Sequence, residues 1–322
     1  FDGMITGAYT VMEVSSDFDK SFLYYFYLNL DSNKRLKPLY TGLRNTISKE
    51  NFNSFKSFIP PLSEQTAIAN FLDRKTELID KAIAIKEKQI ELLKERRQII
   101  IHNAVTRGLN PNVKMKDSGV EWIGEIPEHW EVKRLKCIID IQGGFAFDST
   151  YFKDEGVQLI KIANTYLNEL CLDRQPTFLD ISFLDTHKDW VVSKGDILMS
   201  LTGTLGKRDY GYAIMIEDDS KYLLNQRVAR IKTKKGFEPD YVLNILQSEM
   251  YLNQLYLLPA GTKQANLSND NVVNVKVAIP PNPEERQKIL FYINDVKSKI
   301  SIALILIEKD IEKLKEYKST LI

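Results

Sequence analysis

Residues 59–73 read IPPLSEQTAIANFLD, and a variant, IPPNPEERQKILFYIND, returns at 279–295. A chain that restates itself this way folds as two copies of one unit, and the rest of the sequence agrees. FDKSFLYYFYLN (18–29) matches FEPDYVLNILQS (237–248), and ISKENFNSFKSFIPP (47–61) matches LSNDNVVNVKVAIPP (267–281), with Gly42 placed on Gly261. Further on, EKQIELLKE (87–95) answers EKDIEKLKE (308–316) at an offset of 221. Two large copies are too few for a solenoid and point to an internally duplicated protein with pseudo-twofold symmetry.

The repeated unit is a domain end, a Pro-Pro break and a long helix. Proline lacks an amide donor and pushes its predecessor towards extended geometry, so each pair ends a strand-like run, FKSFI or VKVAI. In the first copy Ser63 is the expected N-cap, with Glu64 in the first turn; in the second, Asn282 or Pro283 opens the helix ahead of Glu284 and Glu285. Apolar residues then recur at alternating gaps of three and four. The first helix carries Ile68, Leu72, Ile79, Ile83, Ile90, Leu93 and Ile100, and the second Ile289, Ile293, Val296, Ile300, Ile307, Ile311 and Leu314. This is the spacing of a coiled-coil seam. At 1.5 Å per residue, about 40 residues make a rod of roughly 60 Å, and such a helix needs a partner. The obvious partner is the other copy, antiparallel if a twofold relates them.

The 322 residues allow two domains with sizeable cores. Cys137 and Cys171 form no metal or disulfide spacing, which suits a reducing cytoplasm. The longest apolar run, ISIALILI at 300–307, is far short of the ~20 residues of a membrane span. No signal peptide opens the chain, and it starts at Phe1 rather than Met. Between the helices, TRGLNPNVKMKDSG (106–119) reads as a linker. Short β-like runs follow at 157–163, 195–202, 212–218 and 226–233, and YVLNILQSEMYLNQLY (241–256) reads as a helix. That is an α+β domain of which residues 1–58 match only the last part. Trp122, Trp130, Ile123 and Ile126 are expected to pack the domain's opening.

DSGVEWIGEIPEHWEVKRLK, GDILMSLTGTLGK, LLNQRVARI, AGTKQANLSNDNV and both Pro-Pro helices resemble, in family order, the specificity subunit of type I restriction-modification systems, here N-terminally truncated. The resemblance implies an α+β fold: target recognition domains with mixed or antiparallel sheet, joined by two long helices in an antiparallel coiled coil. On that reading 1–58 is the C-terminal part of a first recognition domain. The spacer helices span 59–106 and 281–322, residues 107–119 are a linker, and 120–280 form the second recognition domain.

Catalytic patterns fail. GTLGKR (203–208) lacks phosphate-loop spacing, no G-x-G-x-x-G loop occurs, and the Pro-Pro pairs lack the flanking residues of amino-methyltransferases. His102, His129 and His187 stand without ligand or triad spacing. No catalytic, cofactor or metal residue is therefore expected on this chain. A DNA reader needs donors to phosphate and forked or amide groups for base edges. Residues 116–280 carry 19 Lys/Arg against 23 Asp/Glu, so a binding face must be a local basic concentration. Candidates lie at glycine turns and strand ends: Gln142, Lys161, Asn164, Lys207, Arg208, Tyr210, Asn225, Gln226, Arg227, Lys263 and Gln264, with Tyr151 and Tyr166 as aromatic neighbours. KTKK (232–235) reads as a solvated turn.

The resemblance further implies double-stranded DNA, two methyltransferase subunits and motor-nuclease subunits as partners. S-adenosylmethionine, ATP and Mg would sit on those partners and not here. The charged residues Lys86, Lys88, Glu91, Lys94 and Glu95 are expected outside the seam, as docking surface or solvated face. Rival readings are a specificity subunit of a fused or type IIB system, a coiled-coil adaptor that binds protein only, and a truncated form that self-associates.

Overall fold

The computed structural model describes residues 11–41, 46–258 and 263–322; Gly42 and Gly261, on which the copies were aligned, lie outside them. The chain divides into two compact units, residues 1–94 with 301–322 and residues 95–300. The described helices are α1 Lys20–Ser32, α2 Lys49–Ser54, α3 Leu62–Arg107, α4 Phe183–Thr186, α5 Pro239–Leu246, α6 Glu249–Leu255, α7 Asn269–Asn274 and α8 Pro283–Leu321. Among the described residues no helix is long and apolar enough to cross a membrane.

In the first unit, parts of α3 and α8 pair antiparallel. Lys86 Nζ is 2.9 Å from Asp310 Oδ2, and Lys318 Nζ contacts both Asp80 oxygens at 2.6 and 2.7 Å. As α3 descends from 86 to 80, α8 climbs from 310 to 318, which only opposed helices allow. The expected seam residues Leu72, Ile79, Ile90, Leu93, Ile307, Ile311 and Leu314 are buried or half-buried here, as are Ile100, Ile293 and Ile300 in the second unit. Lys86 departs from expectation. It lies in the seam, half-buried, because its long stem covers apolar surface while its ammonium reaches Asp310. The helix α1 rests on α3 through Tyr25, whose hydroxyl donates to Asp73 Oδ1 at 2.7 Å.

The second unit holds the larger sheets; the first has one short antiparallel pair, Tyr40–Thr41 with Thr46–Ile47. The second unit's main strands are β1 Glu131–Arg134, β2 Ile139–Gly143, β3 Val157–Ile160, β4 Phe178–Leu179, β5 Val191–Val192, β6 Ile197–Ser200, β7 Thr202–Thr204, β8 Ala213–Met215, β9 Tyr222–Leu224, β10 Val228–Thr233, β11 Gln264–Asn266 and β12 Lys276–Ile279. Short pairs also join Met115–Asp117, inside the expected linker, to Glu125–Pro127, and Thr165–Tyr166 to Glu169–Leu170. One antiparallel sheet runs β8-β6-β10-β2; a mixed sheet runs β4-β3-β9-β5, with β3 and β9 parallel. β7 pairs with β11 and β12 with β1. The helices α5 and α6 seal the first sheet with Tyr241, Val242, Ile245, Leu246 and Tyr251, all fully buried in one core with Ile101, Val105, Ile289 and Ile293 of the long helices. The expected single helix at 241–256 is broken at Gln247–Ser248, where Ser248 turns extended to start α6. Trp130 is buried and donates to Glu285 Oε1 at 2.9 Å, whereas Trp122 stays exposed.

The repeat is visible bond by bond. Ser48 Oγ accepts from Asn51 N at 3.1 Å to cap α2, and Ser268 Oγ accepts from Asn271 N at 3.1 Å to cap α7. Gln65 donates to the Pro60 carbonyl at 2.9 Å and accepts from the amide of Asp19, the N-cap of α1, at 3.0 Å. Its counterpart, the buried Arg286, donates to the carbonyls of Pro280 (3.0 Å), Pro281 (3.2 Å) and Gly236, beside Glu238, the N-cap of α5. Each long helix is thus clamped through its first turn to its own Pro-Pro break.

Two expectations shift. α3 begins at Leu62, so Ser63 lies inside the first turn and Pro61 supplies the first acceptor, to Glu64 N at 2.9 Å. In α8, Asn282 Oδ1 caps by accepting from Glu284 N at 2.9 Å, with Pro283 at the first helical position. The VKVAI run is a strand because β1 pairs with it. Among the described residues no strand pairs with FKSFI, which forms no ladder and leaves Phe58 101% exposed.

Replacing Arg286 with Ala strands three carbonyls and the Glu238 carboxylate, so the second unit should lose about 3 kcal/mol of stability in denaturant titrations. Among the described glycines Gly144 makes the closest approach: a Cβ there would lie 2.1 Å from Asn225 O. Gly144→Ala should cost about 2 kcal/mol or more, read the same way.

Candidate nucleic-acid interface

Strand pairing brings separate stretches of sequence to one rim of the second unit. β3 and β9 are parallel, so their C-terminal ends emerge together, and Asn225 N donates to Ile160 O at 3.0 Å. β6 and β10 are antiparallel with Ser200 opposite Val228, so Leu201 N reaches Arg227 O at 2.9 Å. The end of β2 joins them: Gly144 N donates to Val228 O at 3.0 Å and Gln226 N to Phe145 O at 3.1 Å. β7 and β11 add a two-stranded tongue, with Thr204 opposite Gln264 and Leu205 N donating to Lys263 O at 3.2 Å. Gly203 in this tongue has no room for a side chain, since a Cβ would lie 2.4 Å from Asp209 Oδ1, which itself accepts from Thr204 N at 2.6 Å.

Of the predicted residues, Lys207, Arg208, Asn225, Gln226, Arg227, Lys263 and Gln264 meet at this rim. Four others are committed to the fold. Gln142 donates to Asp189 O at 2.8 Å and accepts from Arg230, tying β2 and β10 to the segment ahead of β5. The Lys161 ammonium is bonded to Thr177 Oγ1. Asn164 is 0% exposed; it donates to Cys171 O and Arg174 O at 2.9 and 2.8 Å and accepts from Lys161 N, shaping the excursion between β3 and β4. Tyr210 is buried edge-on against Tyr256, ring centres 5.0 Å apart. Burial first of all pushes the Tyr256 hydroxyl up to about 12, and it donates to Tyr210 O at 3.2 Å.

What remains exposed at the rim is chemically open. Among the described residues the side chains of Asn225, Gln226, Gln264, Asn266 and Asn269 make no hydrogen bond, and Lys207, Arg227 and Lys263 make neither hydrogen bond nor ion pair. Elsewhere in the unit Asn168, Asn244, Gln247 and Gln254 are all bonded to backbone. Asn266 and Asn269 were absent from the predicted set, although both belong to the AGTKQANLSNDNV stretch. Tyr151 and Tyr166 are exposed, the latter covered by Arg174 at 4.0 Å from its ring centre. In KTKK, Lys234 donates to Lys136 O at 2.7 Å and fastens a turn. Free amides display paired donors and acceptors, as base edges require, and unpaired cations suit phosphates.

The histidines are placed otherwise. His129 Nε2 is 2.9 Å from Glu285 Oε2, and His187 sits among Phe145, Phe147 and Phe183. Burial lowers the pKa of His102. Among the described residues no cluster of His, Cys, Asp or Glu is placed to hold a metal ion.

Comparison with known proteins adds the family. The type I restriction modification DNA specificity domain matches residues 6–95 and 127–313. The type I restriction enzyme MjaVIII specificity subunit of Methanocaldococcus jannaschii is 29% identical over 269 residues, 83% of this chain and 61% of that protein. The EcoAI specificity subunit of Escherichia coli is 30% identical over 132 residues, 41% of this chain and 22% of that one. This chain therefore spans less than two thirds of the length of these relatives. Among solved structures, one from a study of complex assembly and conformational transition of the type I R-M system superposes with a TM-score of 0.67 at 16% identity, covering 95% of this chain and 70% of that one. The HsdS subunit of Thermoanaerobacter tengcongensis gives 0.56 at 15% identity, covering 95% and 69%. With two separate matched stretches that take in most of its length, this chain belongs to the type I restriction modification DNA specificity domain family.

Proposed function

We propose that this chain is a sequence-reading subunit of a type I restriction-modification complex, with its rim of unbonded amides and cations as the DNA-facing surface of a recognition domain at 120–280. That rim carries the reading: strand ends far apart in sequence converge to present base-reading and phosphate-holding groups that the protein leaves unused. Residues 1–58 would be the tail of a first recognition domain, since α1 and α2 precede α3 as α5 and α7 precede α8, with the same serine cap on α2 and α7. The helices at 59–106 and 281–322 would be the spacer, and 107–119 the linker. Catalysis would fall to other chains: two methyltransferase subunits with S-adenosylmethionine, and motor-nuclease subunits with ATP and Mg, assembled in the cytoplasm.

An exposed stripe supports partner docking. Phe71, Leu78, Ile85 and Leu92 recur every seven residues on α3 in the first unit, outside the seam and 44–60% exposed. A heptad apolar row is what a partner helix packs against. The neighbouring Lys88 and Glu91 pair with each other at 2.8 Å.

Cells that produce the chain with its methyltransferase subunits should show adenine methylation at a defined motif in single-molecule sequencing; scattered or absent methylation refutes the assignment. Leu78→Asp with Leu92→Asp should reduce co-purification of those subunits at least tenfold while leaving the melting temperature unchanged, the stripe being solvent-exposed in the isolated chain.

A further inference from the structure

We propose that the turn Asn225–Gln226–Arg227 is the base-reading element of the rim, with Arg227 as the residue that selects guanine, while Lys207 and Lys263 hold phosphates. The proposal rests on the DNA-reading function above and divides the labour within it.

The first ground is the state of the arginines. Residues 116–280 contain Arg134, Arg174, Arg208, Arg227 and Arg230. Arg134 donates to Asn274 Oδ1 at 3.2 Å, and Arg174 lies over Tyr166. Arg208, held at φ 52°, lies 3.8 Å from Glu249 Oε2 and over the Tyr256 ring. Arg230 donates to the carbonyls of Val191 and Asp189 and to Gln142. Among the described residues of 116–280, the exposed Arg227 is the arginine whose guanidinium enters no hydrogen bond, ion pair or ring stack. That fork matches the paired acceptors of a guanine edge.

The second ground is rigidity. Specificity needs a side chain whose backbone does not yield to the wrong base. The turn is held by Asn225 N to Ile160 O, Gln226 N to Phe145 O, Val228 N to Asn225 O and Leu201 N to Arg227 O, all between 2.9 and 3.1 Å. Gly144 packs directly beneath Asn225. Gln226, next to Arg227 in the turn and exposed, has both the oxygen and the nitrogen of its side-chain amide unbonded, the complement of an adenine edge. Lys207 and Lys263 flank the tongue instead, and a flexible ammonium acts as a point charge for phosphate, without geometry to tell bases apart.

The test is selection from a pool of randomised DNA duplexes by the full chain with its partner subunits, at two salt concentrations, for wild type, Arg227→Ala, Arg227→Lys and Lys207→Ala with Lys263→Ala. Both Arg227 variants should lose about 5- to 150-fold discrimination at one guanine position, the range that one bidentate contact is worth. Arg227→Lys, which keeps the charge, should not restore it. The lysine pair should keep the motif, bind all sequences more weakly, and lower the salt slope by about two. If wild type enriches a motif that Arg227→Ala enriches equally, or that Arg227→Lys restores in full, this inference fails and the DNA-reading function stands. If wild type enriches no motif, both fall.

Discussion

The structure depends on an apolar seam between two long helices that a single chain supplies twice. A lone amphipathic helix of this length cannot satisfy its stripe in water, and here the second copy of the stripe lies on α8, running the opposite way. Its polar members sharpen the register: Lys86 with Asp310 and Lys318 with Asp80 are pairs that a shift of one turn would break. As pairs whose carboxylates stay exposed they contribute little free energy, so their value is in alignment, while the apolar positions provide the stability.

Much of this was legible in the sequence, because the information is periodic. Gaps of three and four identify the seam without coordinates, and the repeated Pro-Pro pairs mark where each helix begins. Lys86 was misjudged because charge suggests solvent, and the Asp310 that accepts it is 224 residues away. The strands β4, β5 and β9 went unread because two or three residues show no alternation. Asn164 and Gln142 show the deeper limit. An amide that shapes a loop and an amide that reads a base look alike in a turn-rich stretch, and only the carbonyls around Asn164 tell them apart.

The rim combines two properties that are seldom found together. The backbone of its central turn is hydrogen-bonded at Asn225, Gln226, Arg227 and Val228 and backed by Gly144, which admits no side chain. Among the described residues the side chains of Asn225, Gln226, Gln264, Lys207, Arg227 and Lys263 are left unbonded. A site of this kind has little freedom to lose on meeting a ligand, and polar groups unsatisfied within the protein favour a polar partner with complementary edges. The acidic excess of residues 116–280 fits this arrangement, since many other surface lysines of the unit, such as Lys153 with Asp180 and Lys194 with Asp219, already have carboxylate partners.

The clamps at Gln65 and Arg286 hold main-chain groups at and near the two proline pairs, and Arg286 adds the Phe237 ring and the Glu238 carboxylate of the globular part. The Gln65 joint, which meets only main chain, tolerates a change of side chains in the attached module, whereas the Arg286 joint also draws on a ring and a carboxylate. A module exchanged at the first Pro-Pro break would therefore fit its helix by backbone alone, while one exchanged at the second would have to bring an aromatic and an acidic residue to the positions of Phe237 and Glu238.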